Sequence, residues 1–388
     1  SFIFRNDSKN GHVKFTDVTN SVAPALKNIG LVCDALFTDF NNDGWPDLVL
    51  AGEWMPVTFL ENDKGVFKNV TAAKGIAGMT GWWNSIAAGD FGNNGCIDYV
   101  VGNLGRNSYF QASDQYPVSV LAKDFDNNGS YDAILSQYLP TSQSDTTRKD
   151  YPIASRDDIL KQLPGLRKRY ENYKSFAGAT MDSLFPKNER NGALYLHANY
   201  LSSAYLKNEG NRFSISPLPI QAQFSILNGI RVDDFNGDGN LDIVINGNDF
   251  GTDPNVGRYD ALNGLLMEGN GNGHFAPKSI LQSGIYIPGD GKALVALRSS
   301  NGKYLLAASQ NKGPLKIFQL KGNFKFIPLQ TLDESAMIFY QNGKKQKREV
   351  GYGSSFLSQS GRFLTIDSHV MKVVITNSKG VSRDIEIK

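Results

Sequence analysis

Cysteine, histidine and net charge are all scarce in this sequence. Its 388 residues hold two cysteines, four histidines, and 40 basic against 38 acidic side chains, for a formal charge of +2. A chain so nearly neutral lacks the basic footprint that nucleic acid demands, so nucleic acid is excluded as an expected partner. Cys33 and Cys96 fall at non-equivalent places in the repeats described below, and two thiols are expected rather than a disulfide. His12, His197, His274 and His369 are scattered, with no HExxH, GxSxG or cysteine–histidine signature beside them. No catalytic residue is assigned on that basis. There is also no apolar run of membrane-spanning length and no legible signal peptide.

Glycine, by contrast, is plentiful at 39 residues, which suits a chain of many tight turns. The stretch that carries most information is DFNNDGWPD, residues 39–47, set between two strand-like runs. Asp39, Asn41, Asp43 and Asp47 put oxygen at positions one, three, five and nine, Gly44 stands at six, and the Trp45 carbonyl is available at seven. Calcium takes six to eight oxygens, and alternate side chains wrap it where glycine lets the chain turn sharply. An EF-hand would need glutamate at position twelve, where Leu50 stands, and the following DLVLAG reads as strand. The expectation is a calcium loop inside a β-hairpin. A polar Asn/Asp/Gly turn would look similar if it occurred once.

It occurs four times. DFGNNGCID gives Asp90, Asn94 and Asp98, with Gly92 at position three; DFDNNGSYD gives Asp124, Asp126, Asn128, Ser130 and Asp132; DFNGDGNLD gives Asp234, Asn236, Asp238, Asn240 and Asp242. Ser130 and Asn240, like Trp45, would contribute backbone carbonyls. Phenylalanine holds position two and glycine position six in every copy. Calcium is therefore expected at the first, third and fourth loops, while the second, with two carboxylates, is weakened. Around each loop short strands recur, in the first copy ALFTDF, DLVLAG, VTFLEN and VFKNVT; four strands per copy describe a propeller blade. The second copy supplies NSIAAGDF, DYVVGN and NSYFQA. In the third, VLAKDF and DAILSQYL are expected to join SSAYLKNEG and RFSISPL across a long insertion. GIRVDDF, DIVING, GLLMEGN and HFAPKS make the fourth. A fifth, ALVALRSSNGKYLLAASQNKGPLKIF, carries Leu297 and Leu305 where the outer aspartates would be and so has lost the metal.

These repeats resemble the FG-GAP and VCBS repeats of integrin-α-like β-propellers, and GWWNSIAAGDFGNNGCIDYVVGNLGRNS is similar to stretches of Bacteroidetes envelope proteins. The tail, REVGYGSSFLSQSGRF followed by VMKVVITNSKGVSRDIEI, resembles an ASPIC/UnbV domain. The resemblance implies an all-β chain: a β-propeller over residues 1–332 with a helical insertion at about 140–190, and a small β domain over 333–388. It also implies an extracellular or cell-envelope location.

Within the insertion, Ser155 and Asp158 are spaced as a capping box, and Leu166, Tyr170 and Tyr173 return at helical spacing. Arg167, Lys168, Arg169 and Lys174 read as a solvated face. GNGNG at 269–273 lies between two strands and reads as a hairpin rather than a phosphate loop. In the tail, Asn342-Gly343 marks another hairpin. Lys344, Lys345, Lys347 and Arg348 beside it read as a solvated rim, with a basic docking patch as the alternative. The opening residues read as the last two strands of a blade whose first half lies outside this sequence, so the chain is expected to be part of a longer polypeptide.

If the acidic loops join first to second strands, the other blade connections gather on the opposite face. That face would present Trp54, Trp82, Trp83, Asn103, Arg106, Asn107, Asp249, Arg258 and Tyr259. Tryptophans beside polar groups suit sugar rings, and blade-to-blade packing by the same tryptophans is the competing reading. The expected function is a calcium-stabilised recognition or scaffold module whose partner is a glycan or an envelope or surface protein. The alternative is a calcium-dependent, lyase-like polysaccharide-degrading enzyme using that loop face, for which Arg106, Arg258, Tyr259 and Asp249 would have to be recruited.

Overall fold

A computed structural model describes residues 1–142, 147–254, 256–322 and 324–387. Strands dominate and almost all pair antiparallel, so the fold is all-β. The chain forms two compact units. One comprises Ser1–Gly78, Trp82–Ser108 and Ser202–Lys388; the other comprises Met79–Gly81 and Tyr109–Leu201.

In the larger unit the first sheet is Leu31–Thr38, Asp47–Pro56, Thr58–Asp63 and Val66–Asn69, in chain order. Leu227–Asp233, Asp242–Gly247, Leu265–Gly269 and Phe275–Lys278 repeat that order, and Asp290–Arg298, Tyr304–Asn311 and Lys316–Gln319 form a three-stranded version. Second strands such as Asp98–Gly102 and Asp242–Gly247 are buried at every residue. Alternation is lost there because both faces of the strand meet other side chains, and continuous apolar runs such as DYVVG and DIVING satisfy that demand. First strands neighbour one another along the series, and the cores lie between sheets. Ala87, Val100, Ile230, Ile243 and Met267 form one such cluster; Val244, Leu294, Ala296 and Leu306 form the next.

The second sheet departs from the expected strand assignment. Ser85–Gly89 and Asp98–Gly102 are completed by Ala204–Asn208 and Phe213–Pro217, with Ala204 opposite Val101 and Leu206 opposite Tyr99. SSAYLKNEG and RFSISPL therefore belong to the second copy, and NSYFQA, residues 107–112, is not a strand. Everything between, including the third acidic loop, is inserted inside that sheet. Chain proximity, the usual rule for sheets, favours the nearer partner. Here the closing strands return after about a hundred residues, with Tyr205 filling the core beside Val100 and Leu206 buried on the opposite face of the strand.

The smaller unit has its own sheet, Arg148–Pro152, Asp132–Pro140, Val118–Lys123 and Leu194–Ala198 in spatial order. Leu121 and Ile134 pack with Ile159, Leu163, Tyr170, Met181 and Leu184 from the helical segment. That segment contains Arg156–Gln162 and short helices at Tyr173–Phe176 and Met181–Leu184. Ser155 caps the first by accepting the Asp158 N–H, and its hydroxyl donates to the Asp158 carboxylate at 2.6 Å. Tyr173 leaves the expected apolar face: it is 62 % exposed and donates to Asp157. Arg167, Lys168, Arg169 and Lys174 are all exposed, and Arg169 also donates to the Ser183 and Leu184 carbonyls. Residues 143–146 of the expected insertion, 255 of the loop face, and Lys388 lie outside the described residues.

Toward the C-terminus, Lys345–Glu349, Asp333–Tyr340, Val370–Asn377 and Ser382–Glu386 form a four-stranded sheet. Lys325–Pro328, before residue 333, pairs with Phe363–Ile366, after it. No helix among the described residues is long and apolar enough to cross a membrane.

Candidate metal loops and loop face

The four acidic loops share one backbone. Each closes between a first and a second strand in the same register, shown by Thr38 opposite Asp47, Gly89 opposite Asp98, Lys123 opposite Asp132 and Asp233 opposite Asp242. Position four is left-handed in all of them, at Asn42, Asn93, Asn127 and Gly237, and so is position six, at Gly44, Gly95, Gly129 and Gly239. Asparagine and glycine tolerate that region best, which explains why the NNDG, NNGC, NNGS and GDGN cores are built from them. The turn points backbone N–H groups at the position-one carboxylate: residues 43 and 44 donate to Asp39, 94 and 95 to Asp90, 128 and 129 to Asp124, 238 and 239 to Asp234. Position five accepts from position seven, as in Trp45 N–H to Asp43 at 2.8 Å and Ser130 N–H to Asn128 at 2.8 Å. Asn41 and Asn236 likewise accept from the backbone of Asp43 and Asp238.

Position nine is buried in every loop, and position one is buried too at Asp90 and Asp234. Asp47 and Asp242 are 0 % exposed, Asp98 1 % and Asp132 4 %. Burial pushes Asp47 and Asp242 up to about 7 and Asp98 up to about 6. Backbone donors such as Asn62 to Asp47 and Gly269 to Asp242 act the other way, and the remaining loop carboxylates add repulsion. Burial likewise raises Asp234 to about 6. Carboxylates so placed are costly to ionise unless a cation joins them.

The donor chemistry fits a hard cation in the first, third and fourth loops, with three carboxylates, asparagine oxygens and a position-seven carbonyl in each. In the third, Asp124, Asp126 and Asp132 bring one oxygen each within 4.8 Å of the others. The second loop fits poorly: Gly92 supplies no donor, and Asp98 is already engaged by the Tyr205 hydroxyl and the Asn208 N–H.

In the larger unit the first, second and fourth loops touch. Asn42 donates to the Gly95 carbonyl at 3.3 Å and Asn93 to Asn240 at 3.2 Å. The C-terminal strand Lys345–Glu349 lies across them, so the solvated-rim reading of the basic tail is corrected in favour of a docked strand. Lys347 pairs with Asp39 at 3.3 Å and bonds Asn42 at 2.6 Å, while its backbone N–H donates to Asp90. Gln346 donates to Asn93 and to the Gly239 carbonyl, Lys344 bonds the Gly239 carbonyl and Asn240, and Glu349 accepts the Asp39 N–H. Lys345 alone of the four stays exposed, over the Phe339 ring. Beneath this strand, buried Asp233 joins Arg231 at 2.9 Å and Arg348 at 3.0 Å. The sequence signal for this docking was charge complementarity between KKQKRE and the acidic loops, a long-range match that no local pattern displays.

The expected loop-face residues divide by burial. Trp83 is fully buried and acts as core, which settles the competing readings for that residue in favour of packing. Asn103 is also fully buried, its side chain accepting from the Trp82 and Leu104 N–H groups, so it shapes the chain rather than meeting a ligand. Trp54 and Trp82 are partly exposed and meet edge to face at 5.0 Å; Trp54 has φ +61°, unusual for a bulky side chain. Arg106 and Asn107 are exposed and tied to Ser202 and the Phe224 carbonyl. Asp249 and Tyr259 are bridged through their backbones, and Arg258 lies over Phe250 at 5.1 Å. Burial, reinforced by Asp249, pushes Tyr259 up to about 12, the wrong direction for a base at neutral pH. The histidines are exposed and separate, and Cys33 and Cys96 are free thiols.

Residues 39–101, spanning the first and second acidic loops, match an FG-GAP-like repeat. No curated protein matches the chain.

Proposed function

We propose that this chain is a calcium-stabilised recognition or scaffold module of the extracellular space or cell envelope, binding a glycan or a surface protein. The FG-GAP-like repeat supports a propeller-like module of that kind. The observation that carries the calcium part is the recurrence, at four places, of one left-handed turn, which in the third loop gathers Asp124, Asp126 and Asp132 within 4.8 Å of one another. Calcium supplies the positive charge that lets the three carboxylates of a loop ionise together. Asp39, Asn41, Asp43, Asp47 and the Trp45 carbonyl would hold it in the first loop. Asp124, Asp126, Asn128, Asp132 and the Ser130 carbonyl serve in the third, and Asp234, Asn236, Asp238, Asp242 and the Asn240 carbonyl in the fourth. The Phe40, Phe125 and Phe235 N–H groups orient the position-nine carboxylates at 3.2, 3.1 and 2.9 Å. In the second loop Asp90, Asn94 and Asp98 form a metal-poor variant held by protein donors.

Recognition falls to the loops away from the acidic turns, with Trp54 and Trp82 as the partly exposed aromatic pair and Arg106, Asn107, Asp249 and Arg258 as polar contacts. Residues 333–388 are read as an ASPIC/UnbV-like segment. The test is a glycan array run with and without calcium, beside a screen for unsaturated or newly reducing sugar ends. Calcium-dependent glycan capture without product supports the module; product formation transfers the function to the lyase-like alternative.

A further inference from the structure

Lys347 stands 308 residues from Asp39 in sequence, yet its ammonium lies 3.3 Å from Asp39 Oδ2 and 2.6 Å from Asn42 Oδ1. The pair is largely withdrawn from water, with side-chain exposures of 12 % for Lys347 and 20 % for Asp39. Solvent and salt therefore screen it less than a surface pair. Asp39 is also the position-one donor of the first acidic loop. The lysine is held there by its strand, not by chance rotamer: Gln346 before it bonds Asn93, its own N–H bonds Asp90, and Glu349 beyond it accepts the Asp39 N–H. The fourth loop is treated differently, because Lys344 reaches the Gly239 carbonyl and Asn240 rather than a carboxylate.

We propose that Lys347 is a tethered cation that competes with calcium for the first acidic loop, so that docking of strand Lys345–Glu349 and calcium binding at Asp39–Asp47 oppose each other. The inference rests on the calcium reading above. A divalent ion beside Asp39 repels an ammonium that shares the same carboxylate, and linkage makes the opposition reciprocal: the strand weakens calcium, and calcium loosens the strand. The first loop is thereby tuned to a higher calcium concentration than its donors alone would set, and its filling is transmitted to the C-terminal sheet.

Calorimetric calcium titration tests this in the full chain carrying Asp124→Asn and Asp234→Asn, which leave the first loop as the strong site. Lys347→Gln should tighten that site on the order of tenfold, within the usual range for coupled sites. Lys347→Arg, which keeps the charge, and Lys345→Gln, at the exposed neighbour, should stay near the parent value. Equal or weaker affinity in Lys347→Gln overturns the inference alone. Absence of calcium binding in both parent and Lys347→Gln overturns the calcium reading with it. Should Lys347→Gln loosen the fold, hydrogen exchange on the unaltered protein decides: calcium should speed exchange of the Lys347 amide that donates to Asp90, and unchanged or slower exchange contradicts the proposal.

Discussion

Replacing Asp233 by asparagine should be among the most damaging single changes in the chain. Its carboxylate is 3 % exposed and accepts five donors: Arg348, Thr365 and the Asp234 N–H on one oxygen, Arg231 and the Tyr304 hydroxyl on the other. Burial alone would raise its pKa, but the two guanidinium groups and the Thr365 hydroxyl outweigh burial and hold it below the ordinary carboxylate range. Asparagine keeps one acceptor oxygen and turns an amide N–H₂ toward a guanidinium, leaving two buried positive charges without their counterion. Breaking a buried pair in this way costs about 3–5 kcal/mol. Equilibrium urea unfolding, followed by far-UV circular dichroism and tryptophan fluorescence, would show the loss. In the cycle Asp233→Ala, Arg348→Ala and the double variant, the double change should cost less than the sum of the singles, because Asp233→Ala leaves Arg348 without its counterion and the double variant removes that stranded charge. A loss below about 1 kcal/mol in Asp233→Asn, or strict additivity in the cycle, would refute the assignment of this trio as the fastening of the C-terminal strands.

Four further outcomes are expected. Burial pushes the Asp34 carboxyl up to about 6 despite N–H donors from Ile86 and Ala35. The folded state thus holds an extra proton between about pH 4 and about pH 6, so the stability it contributes is complete below about pH 4 and lost as pH rises through about 6. Asp34→Asn should flatten that part of the urea-midpoint profile, and an unchanged slope contradicts the burial argument. Trp83→Ala should cost about 3–5 kcal/mol as a deleted core ring. Trp54→Gly should be nearly neutral for stability, since relief of about 1 kcal/mol of left-handed strain offsets its contact with Trp82. For a glycan found on the array, Trp54→Gly should weaken binding by about 1–3 kcal/mol, and unchanged affinity would move the recognition face elsewhere.

The acidic hairpins were legible because their chemistry is local. Oxygen donors at fixed offsets, with glycine at position six, specify a turn and its register without help from the rest of the chain. DLVLAG and DIVING likewise read as strands from their local pattern. The second sheet was not legible, because AYLKN at 204–208 pairs as well in principle with the strand just before it as with Asp98–Gly102, and only the filling of the core by Leu206 and Tyr205 selects the distant partner. Tyr173 was misplaced for a related reason: helical spacing gives a direction around the axis, but the Asp157 acceptor gave its hydroxyl a reason to stay in water. Lys347 and Arg348 looked like solvated charge because sequence shows a cation's neighbours in the chain and not the carboxylates folded against it.

Calcium at the first, third and fourth acidic loops is proposed to hold the fold. Each site filled at about a hundred times its dissociation constant adds on the order of 2.7 kcal/mol to the folded state. The most direct measurement is native mass spectrometry of the intact protein across a calcium titration to millimolar concentration, with magnesium as the control. Calcium bound at the first, third and fourth loops is predicted, with Asp234→Ala losing one ion and Asp90→Ala losing none, and with magnesium failing to substitute because its octahedral demand suits these loops poorly. A protein that stays free of calcium throughout the titration would contradict the account and leave the four loops as hydrogen-bonded turns.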